Sequence, residues 1–194
     1  MYHFQKVFSN FALEMAKKQI KLDDKTFELA IPEATILEAV KGVAERLKAD
    51  YRDKNPVFVV VLSGAFVFAS DLFRFVDYPC QFSFVKLASY EGVASSGIVS
   101  EQLAVDDMVR GRHVVVVEDI VEKGLTMDFL LHRIRERHPA SVEICALSAK
   151  PEKLEVPGLQ IKYVGMTLPE AFIVGYGLDY NDQGRHLRDI YSLV

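Results

Sequence analysis

Two adjacent carboxylates at the end of an apolar run are the first feature here that chemistry could use. Val114-Val115-Val116-Val117 runs into Glu118-Asp119, then into Ile120-Val121-Glu122-Lys123-Gly124-Leu125-Thr126. Neighbouring carboxylates cannot both gain from burial while ionised unless a counter-charge or donors meet them. A divalent cation, sugar hydroxyls, or both would do so. The Gly-containing turn and the start of the helix after it, with Thr126 as an N-cap type of residue, present backbone N–H groups suited to a phosphate. An acid pair after a strand also occurs as a helix-capping or solvated turn, and from residue types alone the two readings stand level. Other centres are excluded. No G-x-x-x-x-G-K-[ST] occurs, and the G-x-G at Gly175 and Gly177 lacks the rest of a dinucleotide fingerprint. His3, His113, His132, His138 and His186 have no H-E-x-x-H spacing or Cys partners, and there is no G-x-S-x-G.

The elements that must position these residues follow from periodicity. Pro32 and Glu33 open a helix with Ile36, Val40, Val43 and Leu47 on one face, ended by the polar Asp50 to Pro56. Val57 to Leu62 is apolar on both faces, as a central parallel strand is. Ala65 to Phe75 then reads as a helix, Gln81 to Leu87 as a strand, Val114 to Val117 as a strand, Thr126 to His138 as a helix, and Val142 to Leu147 and Ile161 to Val164 as strands. The alternation implies an α/β fold, a twisted parallel sheet of about five strands with helices on both faces. Ligands bind beyond the carboxyl ends of such strands. Those ends are Ser63-Gly64, Ser89-Tyr90, Glu118 to Thr126 and Ser148 to Lys150. Glu91 to Met108 reads as a long loop, a length that is usually functional or mobile. Ser9 to Ile20 could form a short helix with Phe11, Met15 and Ile20 inward, and Thr26 to Ile31 a short extended piece.

Composition narrows the class. A chain of 194 residues with 50% apolar and 26% charged residues is long enough for one domain with a substantial core and needs no disulfide or metal staple. A formal net charge of −4 argues against a nucleic-acid partner, and Arg133, Arg135 and Arg137 around Glu136 read as a solvated helix face. No apolar run reaches the roughly 20 residues of a membrane-spanning helix. Cys80 and Cys145 read as small buried hydrophobes in a reducing compartment, so a cytoplasmic location is expected.

The Val114 to Thr126 segment resembles the phosphoribosyl-pyrophosphate (PRPP) signature of the type I phosphoribosyltransferases, and its surroundings resemble the hypoxanthine-guanine branch. Val61-Leu62-Ser63-Gly64-Ala65-Phe66-Val67-Phe68-Ala69-Ser70-Asp71-Leu72 looks like that branch's pyrophosphate loop and following helix. Lys86-Leu87-Ala88-Ser89-Tyr90 looks like its lid entry. Pro169 to Tyr180, followed by Arg185 and Leu187, is similar to its C-terminal purine segment. The motifs occur in the family's order from about residue 32 to the end.

The resemblance implies a single phosphoribosyltransferase domain over 1-194, with 1-31 and about 165-194 contributing a small hood. It implies a purine salvage transferase that makes IMP or GMP and pyrophosphate from PRPP and a 6-oxopurine base, with Mg2+ as cofactor and a homodimer or homotetramer as assembly. By resemblance, Lys123, Gly124, Leu125 and Thr126 cradle the 5-phosphate. Glu118 and Asp119 hold the ribose hydroxyls directly or through Mg2+, and Glu122 accepts the purine proton. Ser63, Gly64 and Arg185 meet the pyrophosphate, Asp179 helps position a second Mg2+, and Ser89 and Tyr90 enter the lid. Phe172 stacks on the purine, the Ile173 backbone faces its edge, and Lys150 donates to its exocyclic oxygen.

Three positions depart from the family pattern. Glu122 stands where Asp is usual, Lys123 where Thr is usual, and Ser63 where Lys commonly precedes the Gly. These departures keep two other readings open: a non-catalytic PRPP or nucleotide sensor on the same fold, and a phosphoribosyltransferase for another base such as xanthine. Each aromatic or charged residue also has a plainer use, Phe172 as core, Lys150 as solvated surface and Asp179 as a turn initiator.

Overall fold

A computed structural model of the chain describes residues 18–89, 99–168 and 170–194. It divides into two compact units, Met1–Ile36 with Glu170–Val194, and Leu37–Pro169.

The second unit is built on a six-stranded sheet. Its strands are β3 (Val57–Leu62), β4 (Gln81–Ser89), β5 (Val99–Leu103), β6 (His113–Val121), β7 (Ser141–Ala149) and β8 (Tyr163–Thr167), in the order β5-β4-β3-β6-β7-β8. All neighbours are parallel except β4 and β5. Val57 to Val60 and Val114 to Val117 have no exposed surface, which is why these runs carry apolar, mostly β-branched residues at every position rather than at alternate ones. Helix α3 (Leu125–Arg135) packs Met127, Leu130, Leu131 and Ile134 against Val57, Val59, Val114 and Val116. Phe58 points to the opposite face of β3 and meets Phe73 of α2 (Phe66–Arg74), with ring centroids 5.2 Å apart. Helices therefore cover both faces, as expected. The 19-residue α1 (Glu33–Tyr51) buries Ile36, Val40, Val43 and Leu47.

The first unit is a four-stranded antiparallel sheet from the two ends of the chain, in the order β1 (Gln19–Leu22), β2 (Lys25–Ile31), β10 (Ile190–Leu193), β9 (Ile173–Val174). Phe27, Val174 and Tyr191 form its core. Asp189 accepts bonds from the Glu33 N–H (2.9 Å) and Lys18 (2.5 Å), tying the start of α1 to β10.

Several local expectations are corrected. Ile20, read as part of a helix, lies in β1, because it pairs with Phe27 across the β1–β2 hairpin. The rest of that reading, residues 9–17, lies outside the described residues. Within the expected loop 91–108, Val99–Leu103 adds an antiparallel edge strand to β4. Strands β6 and β7 run further than their apolar cores, so Glu118, Asp119 and Ala149 still belong to the sheet. Among the described residues no helix is long and apolar enough to cross a membrane.

Candidate active site

In the second unit the site grows from the carboxyl ends of β6 and β7. Register pairing of Val121 with Ala149, and a bond from Lys150 N–H to Val121 O (3.0 Å), set the two strand ends side by side. Glu118 and Asp119 are each only 7% exposed. Their local backbone helps to hold them: Asp119 N–H donates to Glu118 Oε1 (3.1 Å), and Ile120 N–H to Asp119 Oδ1 (2.7 Å). Burial, reinforced by the neighbouring Asp119 carboxylate, pushes the Glu118 carboxyl well above the usual carboxylate range. This pair is under electrostatic tension that a cation or hydroxyl donors would relieve.

Gly64 closes against the same pair. A Cβ at this position would sit 1.9 Å from Asp119 Oδ2, so only glycine lets the 63–64 turn approach the carboxylate so closely. Ser63 beside it is exposed.

The phosphate turn is also built on glycine. Gly124, rather than Thr126, is the N-cap of α3, with a left-handed φ of 83° and no side-chain cap. A Cβ there would also meet Leu159 Cδ2 at 2.6 Å. Asp128 N–H makes the first helical bond, to Gly124 O (2.9 Å), and the amides before it have no acceptor within a helix of this kind. With no capping side chain in the way, they are open to an anion. Leu125 is half exposed, Thr126 is partly buried in the first turn, and Lys123 pairs with Glu155 at 2.8 Å. That acceptor holds the Lys123 ammonium above its usual pKa.

Lys150 is not a surface lysine. It is buried and its ammonium pairs with the Glu122 carboxylate, which is itself 44% exposed. The two residues to which the resemblance gives the roles of purine-edge donor and proton acceptor are thus direct neighbours. Ser148, at one of the strand ends where a ligand is expected, turns out to support the site from beneath, a role its residue type alone does not announce. Fully buried, it donates to Asp119 O (3.1 Å) and braces the acid pair.

The first unit carries the remaining candidates. Phe172 is 46% exposed, so the plain core reading fails; one side of it packs on Phe27 and Tyr180. Ile173 is buried in β9 opposite Ser192. Asp179 does initiate a turn, accepting from Asp182 N–H (2.9 Å), and also pairs with Arg185 (2.7 Å). Arg185 donates further to Gly177 O (2.8 Å). At the expected lid entry, Ser89 ends β4 and Tyr90 lies outside the described residues.

Among the described residues no group of three or more His, Cys, Asp or Glu could hold a metal by itself. Two buried carboxylates fit Mg2+, which usually takes one or two protein carboxylates and completes its shell with water and substrate phosphates.

Residues 32–181 match the family model for the phosphoribosyl transferase domain. The chain is 36% identical over 167 residues to the hypoxanthine-guanine phosphoribosyltransferase of Streptococcus pneumoniae R6, a match covering 86% of this chain and 92% of that protein. It is 36% identical over 152 residues to the hypoxanthine-guanine-xanthine phosphoribosyltransferase of Tritrichomonas foetus, covering 78% and 83% respectively. The solved structure of a hypoxanthine-guanine phosphoribosyltransferase from Bacillus anthracis superposes with a TM-score of 0.80 at 36% identity, covering 86% of this chain and 96% of that one.

Proposed function

The chain belongs to the phosphoribosyl transferase domain family, and from that premise we propose that it is a Mg2+-dependent purine salvage enzyme. It transfers the 5-phosphoribosyl group of PRPP to hypoxanthine or guanine, giving IMP or GMP and pyrophosphate. The observation that carries this reading is the buried Glu118–Asp119 pair leading directly into the uncapped Gly124 turn. Carboxylates suited to ribose hydroxyls lie on the strand that runs into a turn whose amides suit a phosphate.

In the reaction a purine ring nitrogen forms a bond to the anomeric carbon as the bond to pyrophosphate breaks. Glu118 and Asp119 would hold Mg2+ and Asp179 would help position a second ion, and the metal would supply neutralisation of charge on the leaving pyrophosphate. The amides of Gly124, Leu125 and Thr126 hold the 5-phosphate, with Lys123 as a nearby point charge. Ser63 and Gly64 lie along the pyrophosphate, and Arg185 offers it a guanidinium fork. Phe172 stacks on the base and the Ile173 backbone faces its edge.

The Glu122–Lys150 pair matches one edge of a 6-oxopurine. Its carboxylate accepts from the ring N–H and then takes that proton, while its ammonium donates to the neighbouring oxo group. Adenine presents an amino donor where Lys150 also donates, so it is excluded. The whole chain acts as one phosphoribosyltransferase domain, as a homodimer or homotetramer in the cytoplasm, a reducing compartment that suits the free Cys80 and Cys145.

Nucleotide formation from PRPP and hypoxanthine, measured for wild type, Glu122→Asp and Glu122→Gln, tests the assignment. The Gln variant should lose on the order of 10²- to 10⁴-fold in turnover, the usual contribution of a general base. Full activity in that variant would remove Glu122 from the role.

A further inference from the structure

We infer that the β1–β2 hairpin is a positioning element for the purine platform, with Lys25 setting the aromatic rings and Asp24 anchoring the turn that carries Asp179. The inference rests on the reading that Phe172 stacks on the base and that Asp179 and Arg185 face metal and pyrophosphate.

The contacts come from a segment in which the sequence shows no motif. The hairpin turns at Asp23-Asp24, with Asp23 at a positive φ of 53° that Asp tolerates. Both carboxylates reach the same stretch of chain. Tyr180 Oη donates to Asp24 Oδ1 (2.8 Å), and Asn181 Nδ2 donates to Asp23 Oδ2 (3.0 Å). The Tyr180 hydroxyl holds the Asp24 carboxyl below its ordinary pKa. Asn181 and Asp182 themselves lie at φ of 50° and 60°, a turn conformation that gains from being held from outside. Asp179 and Arg185 flank that turn.

Lys25, the first residue of β2, acts on the aromatic side. Its ammonium lies 4.4 Å from the Tyr180 ring centroid and 5.7 Å from that of Phe172, within range of a cation–π attraction to both. Phe172 and Tyr180 meet edge to face at 5.9 Å, and each also touches the fully buried Phe27 of β2. A half-exposed phenylalanine would otherwise sample several rotamers, and a base stacking on it would have to select one. Phe27 and Lys25 make that selection in advance, which lowers the entropic cost of binding the base.

A hairpin that merely closed the sheet would give a general loss of stability or activity on mutation. A positioning role gives a selective one, readable in steady-state kinetics with hypoxanthine and PRPP varied in turn. Lys25→Met should raise KM for hypoxanthine about three- to tenfold, the effect of freeing one immobilised side chain. KM for PRPP and kcat should stay within about twofold. Lys25→Arg should restore the wild-type value, since guanidinium also sits well on aromatic rings. Asp24→Ala should raise both KM values, because it loosens the turn between Asp179 and Arg185 as well. Tyr180→Phe should reproduce it, and the Asp24→Ala/Tyr180→Phe double variant should cost no more than either single change. An unchanged hypoxanthine KM in Lys25→Met, or a rise shared equally by PRPP, overturns the inference while the transferase reading stands. A wild type that forms no nucleotide overturns the transferase reading itself, and the inference with it.

Discussion

Replacing either member of the Glu122–Lys150 pair should have unequal consequences for stability. The Lys150 side chain is 4% exposed and that of Glu122 is 44% exposed, so one charge lies inside the protein and the other at the edge of water. Removing one partner of a fully buried ion pair costs about 3–5 kcal/mol, most of it from the charge left behind. Glu122→Gln leaves the buried ammonium, yet the amide oxygen still accepts a hydrogen bond and water reaches the exposed end. About 1–2 kcal/mol of loss should remain. For a chain of this length that corresponds to a fall in melting temperature of about 2–8 °C. Lys150→Met fills the same hole with an apolar chain and returns Glu122 to solvent, so stability should change by less than about 1 kcal/mol in either direction. Differential scanning calorimetry of both variants at a pH of about 7.5, without ligands, measures the asymmetry. A larger fall for Lys150→Met than for Glu122→Gln would mean instead that the pair is organised around the carboxylate.

Other perturbations follow from the same geometry. Because Glu118 has a raised pKa in the folded chain, its contribution is most favourable below the unfolded carboxylate value of about 4.3 and is lost as pH rises through the folded value. Glu118→Gln should therefore raise the melting temperature relative to wild type at a pH of about 8, with the gain shrinking toward a pH of about 4; a difference independent of pH would contradict the burial argument. Gly64→Ala drives a methyl into the Asp119 carboxylate and should lower kcat/KM for PRPP on the order of a hundredfold, since a displacement of about 1 Å at reacting groups costs that much. Steady-state kinetics with PRPP varied would show it, and a wild-type value would mean that the turn moves aside freely. Chelation with EDTA should abolish nucleotide formation and added Mg2+ should restore it; turnover that persists in EDTA would remove the metal from the account.

The parallel sheet is legible because its central strands are buried on both faces. Six successive apolar residues in β3, and four at the start of the apolar run in β6, are too short for buried helices and fit strands covered from both sides. The acid pair is legible for the opposite reason, as charge placed where burial is already expected. Ion pairing is not legible. Nothing in Pro151-Glu152-Lys153 says that Lys150 turns inward, and its fate depends on β6 and β7 ending in register, a tertiary fact. Residue type points to Thr126 as the cap of α3, whereas Gly124 takes that place through a backbone conformation that a single glycine in sequence does not announce. The hairpin at residues 19–31 is hardest to read, because a short strand pair gains its meaning from Tyr180 and Asn181, at the far end of the chain.

Joining a 6-oxopurine to PRPP is the activity proposed for this chain. Its most direct measurement is a Mg2+-dependent assay of the wild-type protein with PRPP and hypoxanthine, guanine, xanthine or adenine in turn, the nucleotide product being separated and quantified. IMP from hypoxanthine and GMP from guanine, with no AMP from adenine, is the expected result. Tight, saturable binding of PRPP with no nucleotide formed from any base would contradict it and identify the protein as a sensor on the same fold.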